Sequence, residues 1–210
     1  MSDRRFALVG VGVHTIDYAT DGIAPSLEHG ANLAITGRMR THPGGIGNSL
    51  PVAAKLMPGK VGAATLLCDD ANGHEFFQCM QEAGVDTGGI RWNTEFPADR
   101  KFEIVDPKKG VVKVNRDDLS TGMSFVCVDA QTGDPLIFFS PGILQAYNRE
   151  HINMEYLTQA DAVIISYATL LPLKDLFCNQ QLEFGITLSD LKIAFENLGL
   201  SQPKPAFATL

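Results

Sequence analysis

The chain has 210 residues, of which 45% are hydrophobic and 20% are charged, and its formal net charge is -7 at pH 7. This composition is that of a globular protein large enough for one substantial domain. The negative charge argues against a nucleic-acid binder or a protein that docks on an anionic membrane, so we expect neither partner.

The first apolar run, residues 6–13, predicts a central strand covered on both faces. The run is too short for a signal peptide, and no run reaches transmembrane length, so we expect a cytoplasmic protein. Asp17 would lie just beyond the strand's carboxyl end, where open α/β sheets bind ligands. An aspartate that only caps a turn fits the position equally well. Gly10 and Gly12 suggest a dinucleotide-binding oxidoreductase, but Thr15 replaces the third glycine, which leaves that reading as a distant alternative.

The next informative stretch is a glycine loop at residues 42–49, with three glycines among four residues. Asn48 and Ser49 are good N-cap residues, and Pro51 is tolerated in a first helical turn, so the pattern predicts a helix starting there. Its free N–H groups would face the loop and suit hydroxyls or an anion. An ordinary tight turn before a core helix is the alternative.

The remainder of the chain alternates apolar and amphipathic segments. The patterns predict strands at 32–36, 60–68, 123–128, 135–139, 162–166 and 185–188, helices at 76–83, 149–159 and 173–183, and a hairpin at 102–114. The strands at 123–128 and 135–139 are expected to form a second hairpin, joined by a turn at 129–134. We expect Gly84 to stop the first of these helices, and Asn72 to cap it. Alternating strands and helices interrupted by exposed β segments predict a doubly wound α/β core with a small β flap.

The cysteines and histidines give no metal signature. The cysteines are widely spaced and fit reduced thiols better than disulfides or a zinc site; they are Cys68, Cys79, Cys127 and Cys178. The five histidines lack ligand spacing, and His74 with Asp69 and Asp70 makes at most a weak site, a solvated loop being the alternative. We therefore predict no metal site.

Taken together, these segments resemble the pfkB-type (ribokinase-like) carbohydrate kinase family from Phe6 to about Leu191. The resemblance lies in the order and spacing of several short motifs. They are the strand ending near Asp17, the loop 44–48 with Asn48 in register, the segment 62–73, the phrase 82–87, Thr121-Gly122 and the Ser-Pro-Gly at 140–142. Ile46 and Leu50 depart from the family's loop, where smaller residues are usual.

The resemblance implies a ribokinase-like, three-layer α/β/α core closed by a β lid, with lid segments at about 18–42 and 95–116. In that picture Asp17 and Asn48 bind substrate hydroxyls, while Gly44 and Gly45 let the substrate lie against the backbone. The substrate would be a small sugar or nucleoside. The lid excludes water, which otherwise competes as phosphoryl acceptor, and it could also carry a homodimer contact.

The family transfers a phosphoryl group from ATP, with Mg²⁺, to a substrate hydroxyl. Its catalytic base and anion hole come from a Gly-Ala-Gly-Asp segment, which does not occur in this sequence. We therefore expect residues 1–210 to form a single, C-terminally incomplete ribokinase-like domain that holds the substrate-binding part, contains no catalytic residue and is inactive alone. The alternative is a non-catalytic protein, truncated or decayed, that at most binds a polyol.

Overall fold

The computed structural model describes residues 4–12, 14–24, 39–106, 109–129, 134–147 and 149–165. The elements predicted at 32–36, 173–183 and 185–188 lie outside these residues. The helices are α1 (Ile46–Leu56), α2 (Ala71–Glu82) and α3 (Met154–Leu157). The strands are β1 (Phe6–Val11), β2 (His14–Ala24), β3 (Met39–Gly45), β4 (Val61–Ala64), β5 (Leu66–Leu67), β6 (Arg91–Trp92), β7 (Lys101–Asp106), β8 (Gly110–Asn115), β9 (Met123–Asp129), β10 (Pro135–Ser140) and β11 (Ala160–Ile165).

The core is a parallel sheet in the order β11-β1-β4, as the apolar run at the N-terminus predicted. Strand β1 is covered on both faces. Val9 and Val11 face a cluster that includes Phe102 and Tyr156, whereas Gly10 lies directly against Leu50 of α1. Burial on both sides is what selects a continuous apolar strand over an alternating one. The prediction of a layered α/β core is confirmed.

A second sheet stands beside the core in the order β10-β9-β2-β3. Strand β2 pairs antiparallel with β3 and parallel with β9, and β9 forms an antiparallel hairpin with β10. The hairpin at 123–139 is therefore confirmed. Its two strands belong to the four-stranded sheet, which we call the flap. Strands β7 and β8 form the predicted hairpin at 102–114, which is a separate two-stranded sheet.

Glycines with positive φ lie where the chain changes direction at strand ends. Gly12 has φ 116° between β1 and β2, Gly45 has φ 60° at the end of β3, and Gly142 has φ 54° just after β10. Residues with a Cβ rarely adopt such angles, so glycine lets the chain change direction within one or two residues. Because of the abrupt turn at Gly12, a new strand begins directly after β1. Asp17, which was predicted just beyond the carboxyl end of β1, is the fourth residue of this strand, β2.

Two other predictions need correction in their boundaries. The strand predicted at 60–68 is divided at Thr65 into β4 and β5, and the buried Thr65 hydroxyl donates to Gly12 O. The helix predicted at 149–159 is a 3-10 turn followed by the short helix α3. The Asn153 side chain accepts from Tyr156 N and so starts a new helix inside the expected one.

Candidate functional site

The candidate site lies on one face of the four-stranded sheet and centres on Asp17. Because successive side chains of a strand point to opposite faces, Thr15 and Asp17 share one face of β2. Ile16 and Tyr18, on the other face, pack into the core cluster with α1 and α2. The apolar side of β2 thus fixes the polar side in place.

Hydrogen bonds orient the Asp17 carboxylate. Its Oδ1 accepts from Thr15 Oγ1 at 2.8 Å and from Ser124 Oγ at 2.7 Å. Its Oδ2 lies 3.9 Å from His42 Nδ1, which is beyond hydrogen-bond distance. The Asp17 side chain keeps 17% of its surface exposed. One oxygen therefore positions the group, and the other remains available to an incoming donor.

Gly44 lies against this carboxylate. It pairs with Thr15 across β2 and β3, and a Cβ at Gly44 would approach Thr15 Oγ1 and both Asp17 oxygens to less than 3.0 Å. Real Cβ atoms do not approach that closely, so only glycine allows Asp17 to occupy its position. Asp17 and Gly44, which the family resemblance placed in one site, are therefore neighbours in the structure.

The end of the glycine loop differs from the prediction. Helix α1 begins at Ile46 with Gly45 as its N-cap residue, so Asn48 and Ser49 lie inside the first turn and do not cap it. Pro51 lies deeper in the helix than expected. The positive φ of Gly45 turns the chain directly into the helix, and no side-chain cap is needed there. Asn48 is exposed, and the hydrogen bonds of Asp17 among the described residues go to Thr15 and Ser124 and not to Asn48.

Comparison with solved structures identifies the architecture. The chain matches the ribokinase of Giardia lamblia with 18% identity and a TM-score of 0.59, over 97% of this chain and 52% of that one. It matches the ribokinase of Thermotoga maritima with 21% identity and a TM-score of 0.54, over 81% and 49% of the two chains. This chain has the ribokinase-like fold.

A third match is the Arabidopsis thaliana ribokinase complexed with ribose and ATP, at 21% identity and a TM-score of 0.53 over 75% of this chain and 44% of that one. The chain therefore spans about half the length of these structures. No family model and no curated protein sequence matches the chain.

Within the ribokinase-like fold, three partners of Asp17 were not singled out from the sequence. Thr15 lies two positions before Asp17, and His42 lies two positions before Gly44. The two-residue alternation of a strand could have indicated that Thr15 shares a face with Asp17. Ser124 has no such signal, because it is 107 positions from Asp17 and reaches it only through the pairing of β2 with β9.

The core side of the sheet adds one further contact, in which Tyr18 OH donates to Asn72 Oδ1 at 2.6 Å.

That contact corrects the role of Asn72. The N-cap residue of α2 is Asp70, whose Oδ1 accepts from Gly73 N and whose Oδ2 accepts from Thr121 N, both at 2.7 Å. Asn72 is the second residue of the helix, where its side chain is free to meet Tyr18. The predicted stop at Gly84 is confirmed, since Gly84 has φ 77° directly after the helix.

The described residues contain no group of three or more His, Cys, Asp or Glu side chains able to hold a metal ion. The three described cysteines are free, and burial raises the pKa of each thiol, that of Cys68 to about 12. Such thiols are poor nucleophiles and poor metal ligands. Nor does any helix in the described part of the chain have the length and apolarity to cross a bilayer.

Proposed function

We propose that this chain is a member of the pfkB-type carbohydrate kinase family and that it binds the hydroxyl groups of a small sugar or nucleoside. The observation that carries the proposal is the Asp17 carboxylate. Thr15 and Ser124 orient it through one oxygen, and it lies against the bare backbone of Gly44. A carboxylate with one oxygen left open to a donor suits a hydroxyl-rich ligand, because a hydroxyl donates a charge-assisted hydrogen bond to it. The ribokinase-like fold supports the same proposal.

The chemistry of the family would be phosphoryl transfer to one of those hydroxyls. The ribokinase of Arabidopsis thaliana was solved with ribose and ATP, which supports ATP as the donor. The described residues do not form a cluster that would hold Mg²⁺, so we derive no step through ATP or the metal from them. We assign the chain the substrate-binding role, and we expect ATP turnover over a sugar and nucleoside panel at background for these 210 residues.

The test is titration calorimetry of the purified chain with such a panel. Asp17→Asn keeps an oxygen that can accept from Thr15 and Ser124 but removes the charge. Because hydrogen bonds to charged groups are worth about 1.5–3 kcal/mol, we expect roughly tenfold to hundredfold weaker binding. Gly44→Ala, which displaces the carboxylate without altering a polar group, should weaken binding as well.

The matched control is Asp161→Asn, since Asp161 is an exposed aspartate on β11 in the other sheet. It should bind like the parent chain. Unchanged affinity in Asp17→Asn would remove Asp17 from the site, and steady ATP turnover by the chain would contradict the substrate-binding role alone.

We propose two further properties, a homodimer contact and a cellular location. Three large apolar side chains are exposed along β10, with 57% of Ile137, 54% of Phe138 and 41% of Phe139 accessible. Ile137 and Phe139 share one face of β10, and Phe138 lies on the other. Because β10 is an edge strand, these exposed side chains fit a homodimer formed through the edge of the flap. The free thiols of Cys68, Cys79 and Cys127 support a cytoplasmic location, and recovery of the protein from a secreted fraction would contradict it.

A further inference from the structure

The strand register aligns polar side chains in rows across the site face of the flap. His42, Asp17 and Ser124 are directly paired neighbours on β3, β2 and β9. One step along, Arg40 pairs with Ala19. Directly paired residues share a face, and so do residues two apart on one strand, so Arg40 lies on the same face as His42 and Asp17.

This row gives the open oxygen of Asp17 a basic neighbourhood. Oδ2 faces His42 at 3.9 Å, and Arg40 follows His42 at a spacing of roughly 7 Å along β3. Both side chains are exposed. In a chain whose formal net charge is -7 with histidine counted as neutral, Arg40 places a permanent cation on the same face as the Asp17 carboxylate, and the His42 ring adds an N–H donor beside them.

We propose that the site takes an anionic polyol, in which a hydroxyl donates to Asp17 Oδ2 and a phosphate or carboxylate group binds Arg40, with His42 as a second donor. The proposal rests on the proposed function and names its substrate class. Arginine is suited to the anion because its planar guanidinium offers paired N–H donors to two oxygens of a phosphate or carboxylate. A neutral sugar would draw no comparable contribution from Arg40.

Calorimetry with fructose, fructose 6-phosphate and gluconate tests this substrate class, with inorganic phosphate as a fourth probe. The parent chain should bind at least one of the two anionic polyols about tenfold more tightly than fructose, the gain of one charge-assisted hydrogen bond. That preference should shrink as NaCl is raised, because salt screens exposed charges. Comparing fructose 6-phosphate with gluconate shows whether the anionic group that the site prefers is a phosphate ester or a carboxylate.

Arg40→Gln should remove the preference, so that the anionic polyols bind no more tightly than fructose, while His42→Gln should reduce the preference in part. Lys55→Gln is the matched control, because Lys55 is an exposed cation in the last turn of α1, and it should keep the preference. The inference is overturned if fructose and both anions bind with equal affinity, or if the preference survives Arg40→Gln. In either case the proposed function still stands if polyol binding depends on Asp17. Binding of inorganic phosphate as tight as that of the sugar phosphate also overturns the inference. Failure of every polyol to bind overturns both.

Discussion

Acid should destabilise this protein through His14, a histidine buried at the junction of the two sheets. Its side chain is 0% exposed, and its Nδ1 lies 2.5 Å from Thr65 Oγ1. Its Nε2 has no hydrogen-bond partner among the described residues, and its ring packs edge-on against Phe76. Burial lowers the pKa of His14 from 6.5 to about 4, although the Gly12 carbonyl and the Asp70 charge oppose that shift.

The sign and size of the effect follow from linkage. The folded pKa is below the unfolded one, so the unfolded chain binds more protons between pH 6.5 and 4. The stability present above pH 6.5 is therefore lost as the pH falls towards 4. With these two pKa values the loss reaches about 2 kcal/mol at pH 5 and approaches about 3 kcal/mol below pH 4.

Urea unfolding from pH 7.5 to 4.5 measures this loss when the parent is compared with His14→Asn. Asparagine can still hydrogen-bond to Thr65 but does not titrate. The variant should be less stable at pH 7.5 because it loses the packing against Phe76. Its deficit should narrow by about 2 kcal/mol at pH 5.

The comparison isolates His14 from the other titrating groups. His151 is also buried, and burial together with the Arg100 charge lowers its pKa to about 4, but it is present in both proteins and cancels in the difference. A deficit that stays constant from pH 7.5 to 4.5 would refute the reasoning.

Two further predictions concern packing. Gly62→Ala should destabilise the fold by about 1–2 kcal/mol, because its Cβ would overlap the Tyr156 hydroxyl. Tyr156→Phe should cost about 1 kcal/mol, since that hydroxyl donates to Asp86 Oδ1 at 2.7 Å. In urea unfolding, the double variant should lose clearly less stability than the sum of the two single losses, because Tyr156→Phe removes the atom that the new Cβ would overlap. A loss equal to that sum would contradict the overlap. Phe138→Ser on β10 should convert a dimer to a monomer in light scattering; a parent chain that is monomeric at high concentration contradicts the flap interface.

The sequence alone determined the elements whose signals are local. The apolar run of β1, the stop at Gly84 and the hairpins at 102–114 and 123–139 follow from periodicity and turn residues. Boundaries failed where one residue changes the chain's direction or its capping. Gly45 starts α1 ahead of Asn48, Asp70 caps α2 in place of Asn72, and Asn153 divides a predicted helix. In each case several nearby side chains could cap, and tertiary contacts decide which one does.

The candidate site divides in the same way. Asp17 and the glycine loop were singled out from the sequence because a carboxylate after a buried strand and clustered glycines before a helix can both line a ligand site, with a turn cap and an ordinary tight turn as the alternatives. The tertiary structure alone decided that Asp17 lies within β2 and that Ser124 orients it from β9. It also decided that Arg40 shares its face. Strand register sets these contacts, and register depends on pairing between segments far apart in the chain, which no local pattern encodes.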